Sequence, residues 1–142
     1  MNLNTDFIKK LRNSGLRPTK QRIKICKVLF DTEKTFHFTI NDLVKIIREK
    51  LSQKISLATV YNTVHAFKKK GYLKEISINS DKSYFDTNTS IHHHFYDEDT
   101  NELIDCDVNA IDSVNVKNNI TGKKINSVEV LIKVANDTQN QN

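Results

Sequence analysis

A chain of 142 residues, 37% of them hydrophobic, is long enough to bury a core as one domain or two small ones. No apolar run is long enough to cross a bilayer, and the opening MNLNTDFIKK has no apolar signal core, so a cytoplasmic protein without a membrane partner is expected. Its two cysteines, Cys26 and Cys106, are far apart with no C-x-x-C, which argues against a disulfide framework and leaves no basis for a structural zinc site built from four cysteines.

The net charge of +5 divides unevenly. Up to Asn79 there are 17 Lys and Arg against 6 Asp and Glu, a surplus of 11; from Ser80 on there are 5 against 11, a deficit of 6. A basic first half is the footprint of a polyanion binder, whereas an acidic, histidine-bearing second half suits a metal.

Taken in order, Asn4 to Asn13 predicts a helix with Leu3, Phe7 and Leu11 on one side and Gly15 placed to stop it. In GLRPTKQRIKICKVLF, Pro18 ends a loop and Thr19 caps a second helix whose Ile25, Cys26 and Leu29 face inward. Cys26 within that face reads as a buried, inert thiol. Lys20, Arg22, Lys24 and Lys27 line the outside, in reach of phosphate. The loop DTEKTFHF leads to a third helix, capped by Thr39 with Asp42 in its first turn and striped by Ile40, Leu43, Val44, Ile47 and Leu51. His37 falls just before that cap.

The stretch SLATVYNTVHAFKKK is the most informative of the first half. Leu57, Val60, Val64 and Phe67 form one stripe, and at about 100° per residue Asn62 points directly away from it. Ala58, Thr59, Ala66 and Lys69 lie beside Asn62, with Tyr61 on the shoulder. Small residues permit close approach to a major groove, Asn pairs with base edges and Lys reaches phosphate. Alone, such a helix is equally an ordinary amphipathic one with a solvated polar face. Beyond it Gly71 offers a left-handed stop, and Leu73 to Ile78 and Lys82 to Asp86 alternate as two strands joined by a turn at NSD. Helix, turn, helix and hairpin is the layout of a winged helix, and the three signals together point to DNA.

The second half predicts a smaller α/β unit. Ile91 to Tyr96 and Leu103 to Asp105 read as strands joined by DEDTN. Val108, Ile111 and Val114 suggest a short helix, and Val128 to Val134 a final strand, apolar on both faces. That strand is covered either within the chain or by a partner subunit. A polar tail, 136–142, is expected to be disordered. The domain boundaries so drawn are 1–86, 87–135 and 136–142.

Within IHHHFYDEDTNELID, a strand would put His92 and His94 on one face and His93 on the other. Two imidazoles with carboxylates nearby suit a divalent ion, and Asp86 and Asp105 end the adjoining strands. If His37 folds back from its loop, nitrogen and oxygen ligands bridge the two halves.

GLRPTKQR, HFTINDL, SLATVYNT with KKKGYL, and HHHFY before ELID resemble the ferric uptake regulator (Fur) family, in that family's order and from Leu11 to about Val134. The resemblance implies an α+β chain: an N-terminal winged helix-turn-helix domain followed by a small C-terminal α/β dimerisation domain, acting as a metal-responsive transcriptional regulator. By resemblance, Tyr61 contacts bases, with Thr59, Asn62 and Lys69 on the same face, and Arg22 holds phosphate. The regulatory metal site would be His37, Asp86, His92, His94 and Asp105, and a second site would use His93 and Asp112. The missing C-x-x-C pairs, with TVYNT and HHHFY, are similar to the iron response regulator (Irr) branch, which senses haem. No cysteine precedes a proline here, so haem ligation would rest on His92, His93 or His94.

The expected function is therefore a homodimeric repressor or activator of iron and haem metabolism genes. It would bind an AT-rich, pseudo-palindromic operator with affinity set by haem or by Fe2+ or Mn2+, with Zn2+ an occupant in vitro. The alternatives are a Fur-like regulator sensing Fe2+ or Mn2+ only, a His/Asp metalloenzyme, or a passive haem or metal buffer. The enzyme class has no HExxH, no G-x-S-x-G and no paired nucleophile and base to support it.

Overall fold

The elements of the computed structural model, which describes residues 2–52 and 54–138, run α1 (Leu3–Asn13), α2 (Lys20–Phe30), β1 (His37–Phe38), α3 (Ile40–Leu51), α4 (Leu57–Lys70), β2 (Lys74–Ser77), β3 (Ser83–Asp86), β4 (His94–Asp97), β5 (Glu102–Asp105) and β6 (Leu131–Val134). They divide into two compact units, one up to Thr89 and one from Ser90 on. The tail expected to be disordered lies outside the described residues from position 139.

In the first unit each helix begins on a side chain that accepts an otherwise orphaned backbone N–H: Asn2, Thr19, Thr39 and Ser56. At α3 the arrangement is reciprocal. Thr39 Oγ1 accepts from Asp42 N–H at 3.1 Å, and Asp42 Oδ2 accepts from Thr39 N–H at 3.0 Å. Gly71, at φ 94°, ends α4 in the left-handed region that glycine reaches without strain. Replacing Thr39 by alanine removes one half of the α3 box, with an expected loss of about 1 kcal/mol in urea unfolding. A loss below about 0.3 kcal/mol would show that the box contributes nothing beyond water.

The helices enclose Leu11, Ile25, Cys26, Leu43, Ile47, Val60, Val64 and Phe67, none more than 1% exposed. Burial pushes the Cys26 thiol up to about 12, so it is a packing group and not a nucleophile. On α4 the buried arc differs from the expected stripe in two places. Leu57 is exposed, and Thr63 takes its place with its hydroxyl donating to the Thr59 carbonyl at 2.7 Å. That internal bond satisfies the hydroxyl and makes the polar residue compatible with the core. The buried face is thereby rotated towards Thr63.

The sheet of this unit runs β1-β3-β2, all antiparallel. Strand β1 stands where only a loop was expected. Two residues are too few to show an alternation, and the strand is held by its partner: Phe36 and Thr87 exchange two bonds beside it, with His37 opposite Asp86 and Phe38 opposite Phe85.

In the second unit β4 is central, antiparallel to β5 and parallel to β6. The acidic turn forms as the alternation suggests: Asp97 Oδ1 accepts from Asp99 and Thr100 N–H, and the Tyr96 hydroxyl donates to Asn101 Oδ1. Three expectations change here. Strand β4 begins at His94, so His92 and His93 precede it; β6 begins at Leu131, not Val128. No helix covers Val108, Ile111 and Val114 among the described residues. Asp107 instead caps a tight turn by accepting from Asn109 N–H, and a stretch rich in Val, Ile and Asn is a weak helix former.

Candidate metal centre and nucleic-acid face

On α4, Tyr61, Asn62 and Lys69 are exposed and Thr59 is half-buried, its hydroxyl 2.7 Å from that of Ser56. Thr59 lines a depression of about 430 Å³ together with Thr19, Lys20, Gln21 and Arg22 from the start of α2. A lysine and an arginine beside hydroxyl groups make a lining whose charge suits a phosphate. The Arg22 side chain is tied to the backbone: its Nη1 donates to the Arg17 carbonyl at 2.9 Å. One edge of the guanidinium is thus spent on the α1–α2 loop, an anchoring that no sequence pattern announces.

Further along the first unit, Asp86 is 1% exposed at the end of β3. Its register partners are His37 on β1 and Lys74 on β2, and Oδ1 accepts from Asn88 N–H at 2.8 Å. Desolvation lowers the Lys74 pKa, while the Asp86 carboxylate acts to raise it. Lys74 is the site residue missed at the sequence level, because an alternating strand position says nothing of the carboxylate across from it.

The second unit gathers His92, His94 and Asp105. Sheet register sets His94 opposite Asp105, and the rings of His92 and His94 lie 4.3 Å apart. His92 Nε2 is 3.4 Å and His94 Nε2 3.2 Å from the same oxygen, Asp105 Oδ1. His92 Nδ1 lies 2.8 Å from the Ser90 carbonyl. A carbonyl only accepts, so Nδ1 carries the proton and, in the neutral ring, Nε2 presents a lone pair to the carboxylate. Two lone pairs facing each other repel unless a proton or a metal cation sits between them, and the arrangement is one that a metal can occupy. The donors are nitrogen and oxygen throughout, a set that suits Fe2+, Mn2+ or Zn2+. Cys106 follows Asp105, and its thiol pKa is raised by desolvation and then by the Asp105 carboxylate.

His93 turns elsewhere. Val130 N–H donates to its Nδ1 at 2.9 Å, and its carbonyl accepts from Cys106 N–H at 3.0 Å. A neutral ring that accepts at Nδ1 holds its proton at Nε2, so neither nitrogen offers a free lone pair. Asp112 lies exposed in the irregular span before β6, and no group of three or more potential ligands among the described residues contains His93 or Asp112.

The profile of the ferric uptake regulator family matches residues 13–134. The peroxide-responsive repressor PerR of Staphylococcus epidermidis is 33% identical over 109 residues, covering 77% of this chain and 71% of that protein. The peroxide operon regulator of Bacillus subtilis is 31% identical over 121 residues, covering 84% and 81%. These relatives are peroxide regulators rather than members of the Irr branch to which the HHHFY block pointed. Among solved structures, the ferric uptake regulator of Vibrio cholerae gives a TM-score of 0.66 at 24% identity over 90% of this chain and 98% of that one. The Pseudomonas aeruginosa ferric uptake regulator with manganese gives 0.63 at 20% identity over 92% and 97%. The shared fold is α+β, a winged-helix domain followed by a dimerisation domain. No helix among the described residues is long and apolar enough to span a membrane. With nearly the whole length matched in sequence and in fold, the chain belongs to the ferric uptake regulator family, whose members are metal-responsive, dimeric, DNA-binding transcription regulators and not enzymes.

Proposed function

We propose that the chain is a homodimeric repressor whose grip on an AT-rich, pseudo-palindromic operator is set by Fe2+ or Mn2+. The ion would be held by His92, His94 and Asp105, the family resemblance adds His37 and Asp86 to the ligand set, and Zn2+ would compete for the same ligands in vitro. Residues 1–86 read DNA; residues 87–135 bind the metal and the partner subunit. The observation that carries this reading is the pair of Nε2 atoms turned on one carboxylate oxygen. Bound metal would supply positive charge that holds those groups together. Tyr61, Asn62 and Thr59 meet base edges, and Arg22 and Lys69 meet phosphate. The exposed Ile104, Val108, Val114, Val116 and Ile120 of the second unit are apolar surface for a partner subunit.

The finer question is the signal. Haem sensing as in the Irr branch would draw on His92, His93 and His94, but His93 is engaged by Val130 and the other two are turned on Asp105. Free metal is the better fit, and the names of the relatives add peroxide as a second signal to test. The test is fluorescence anisotropy on a duplex selected by the metal-loaded protein from an AT-rich random pool. Mn2+ should tighten binding about 5- to 150-fold over metal-free protein, reversibly with chelator. Hydrogen peroxide should release the Fe2+-loaded protein and spare the Mn2+-loaded one. Equal affinity with and without metal would end the sensor reading, and a Soret shift on adding haemin that disappears in a His92/His93/His94→Ala variant would restore the haem one.

A further inference from the structure

Tyr61 is half exposed on α4, and an exposed aromatic ring on a helix has two χ1 wells open to it. One of its sides is covered. His65, one turn further along, lies against it with ring centroids 4.1 Å apart and planes at 42°. His65 then meets Phe85 edge-on at 5.4 Å and 82°. Phe85, 2% exposed, stacks at 6.1 Å on Phe38, which is 1% exposed. A series of aromatic contacts therefore rises from the β1–β3 pair and ends at a solvent-facing tyrosine. A series built only for stability would end in the core; this one delivers its order to the outer face of α4.

We propose that His65 is a positioning residue, holding the Tyr61 ring in one orientation before DNA arrives and so adding to sequence selectivity. This rests on the reading that Tyr61 contacts bases. Ordering a side chain before binding removes a cost otherwise incurred on association. The contribution should appear in the selected complex and be smaller where no base is read.

The experiment is a double-mutant cycle on the full chain with Mn2+, using a duplex selected from a random pool and a scrambled duplex of equal length. His65→Ala should reduce the ratio of scrambled to selected Kd by about three- to tenfold. In a Tyr61→Ala background the same change should have no further effect. His65→Phe, which keeps a planar ring against Tyr61, should restore most of the ratio and covers the case in which the alanine variant folds poorly. Additive losses in the cycle, an unchanged ratio in His65→Ala, or no recovery with phenylalanine would each overturn the proposal. If Tyr61→Ala alone leaves the ratio unchanged, the base-contact reading fails first and takes the positioning role with it.

Discussion

Replacing His94 by alanine should lower Mn2+ affinity at least about a hundredfold, because loss of a mere outer-shell partner already costs about 10- to 100-fold. His94 is 3% exposed, sits opposite Asp105 in the sheet and turns Nε2 to 3.2 Å from its carboxylate. The adjacent imidazole of His93 is held by Val130 and is not turned towards Asp105. The effect on DNA follows by linkage: a metal shifts the binding-competent state only by its differential affinity for that state. The variant should therefore show the metal-free DNA affinity at every Mn2+ concentration that saturates the parent. Titration calorimetry reads the first effect, anisotropy the second. Thermal unfolding separates loss of metal from loss of fold. At about 100 times its Kd a ligand adds about 2.7 kcal/mol to the parent, and the variant should gain none of it. Asp105→Asn, at an exposed position, should behave like His94→Ala. His93→Ala is the contrast: it loses the Val130 bond, costs about 0.5 to 1.5 kcal/mol, and leaves Mn2+ affinity near that of the parent. Equal metal affinity in His94→Ala and the parent would sink the proposed centre.

How much of this was legible beforehand depends on how local each cause is. The α2 and α3 stripes, the Thr19 and Thr39 caps and the Gly71 stop are written within a few residues of where they act, and each stands as expected, whereas Leu3 of the α1 stripe is exposed. The exposure of Leu57 and burial of Thr63 are settled by a hydroxyl bond that hydropathy does not count. Strand β1 exists because Phe36 meets Thr87, 51 positions away. The histidine run shows the limit best. Alternation placed His92 and His94 together and His93 apart, but which nitrogen of His93 is engaged depends on Val130, 37 residues along the chain. Two of three adjacent imidazoles are thereby turned on Asp105 and the third is held by a backbone N–H. The anchoring of Arg22 by Arg17 and the contact of His65 with Phe85 were hidden for the same reason.

Phe67→Ala should cost the first unit about 3 to 5 kcal/mol, a large share of the roughly 5 to 15 kcal/mol that holds a typical domain together. Phe67 is fully buried, with Phe30 edge-on at 5.5 Å and Tyr72 at 6.0 Å. The Lys10 ammonium lies over both of those neighbours, at 5.3 Å and 5.1 Å. Truncation thus opens a cavity between α4 and the rings that α2 and Tyr72 contribute, and partly unseats a cation as well. Helix propensity works in the opposite direction, since alanine favours the helix over phenylalanine by about half a kcal/mol. Any loss must therefore come from packing. Tyr61→Ala on the same helix is the internal control: its ring is half exposed, and stability should change by no more than about 0.5 kcal/mol. Urea unfolding of the full chain by far-UV circular dichroism reads both. Equal midpoints for the two variants would mean that α4 is not seated on the core through Phe67, and the recognition face opposite would lose its footing with it.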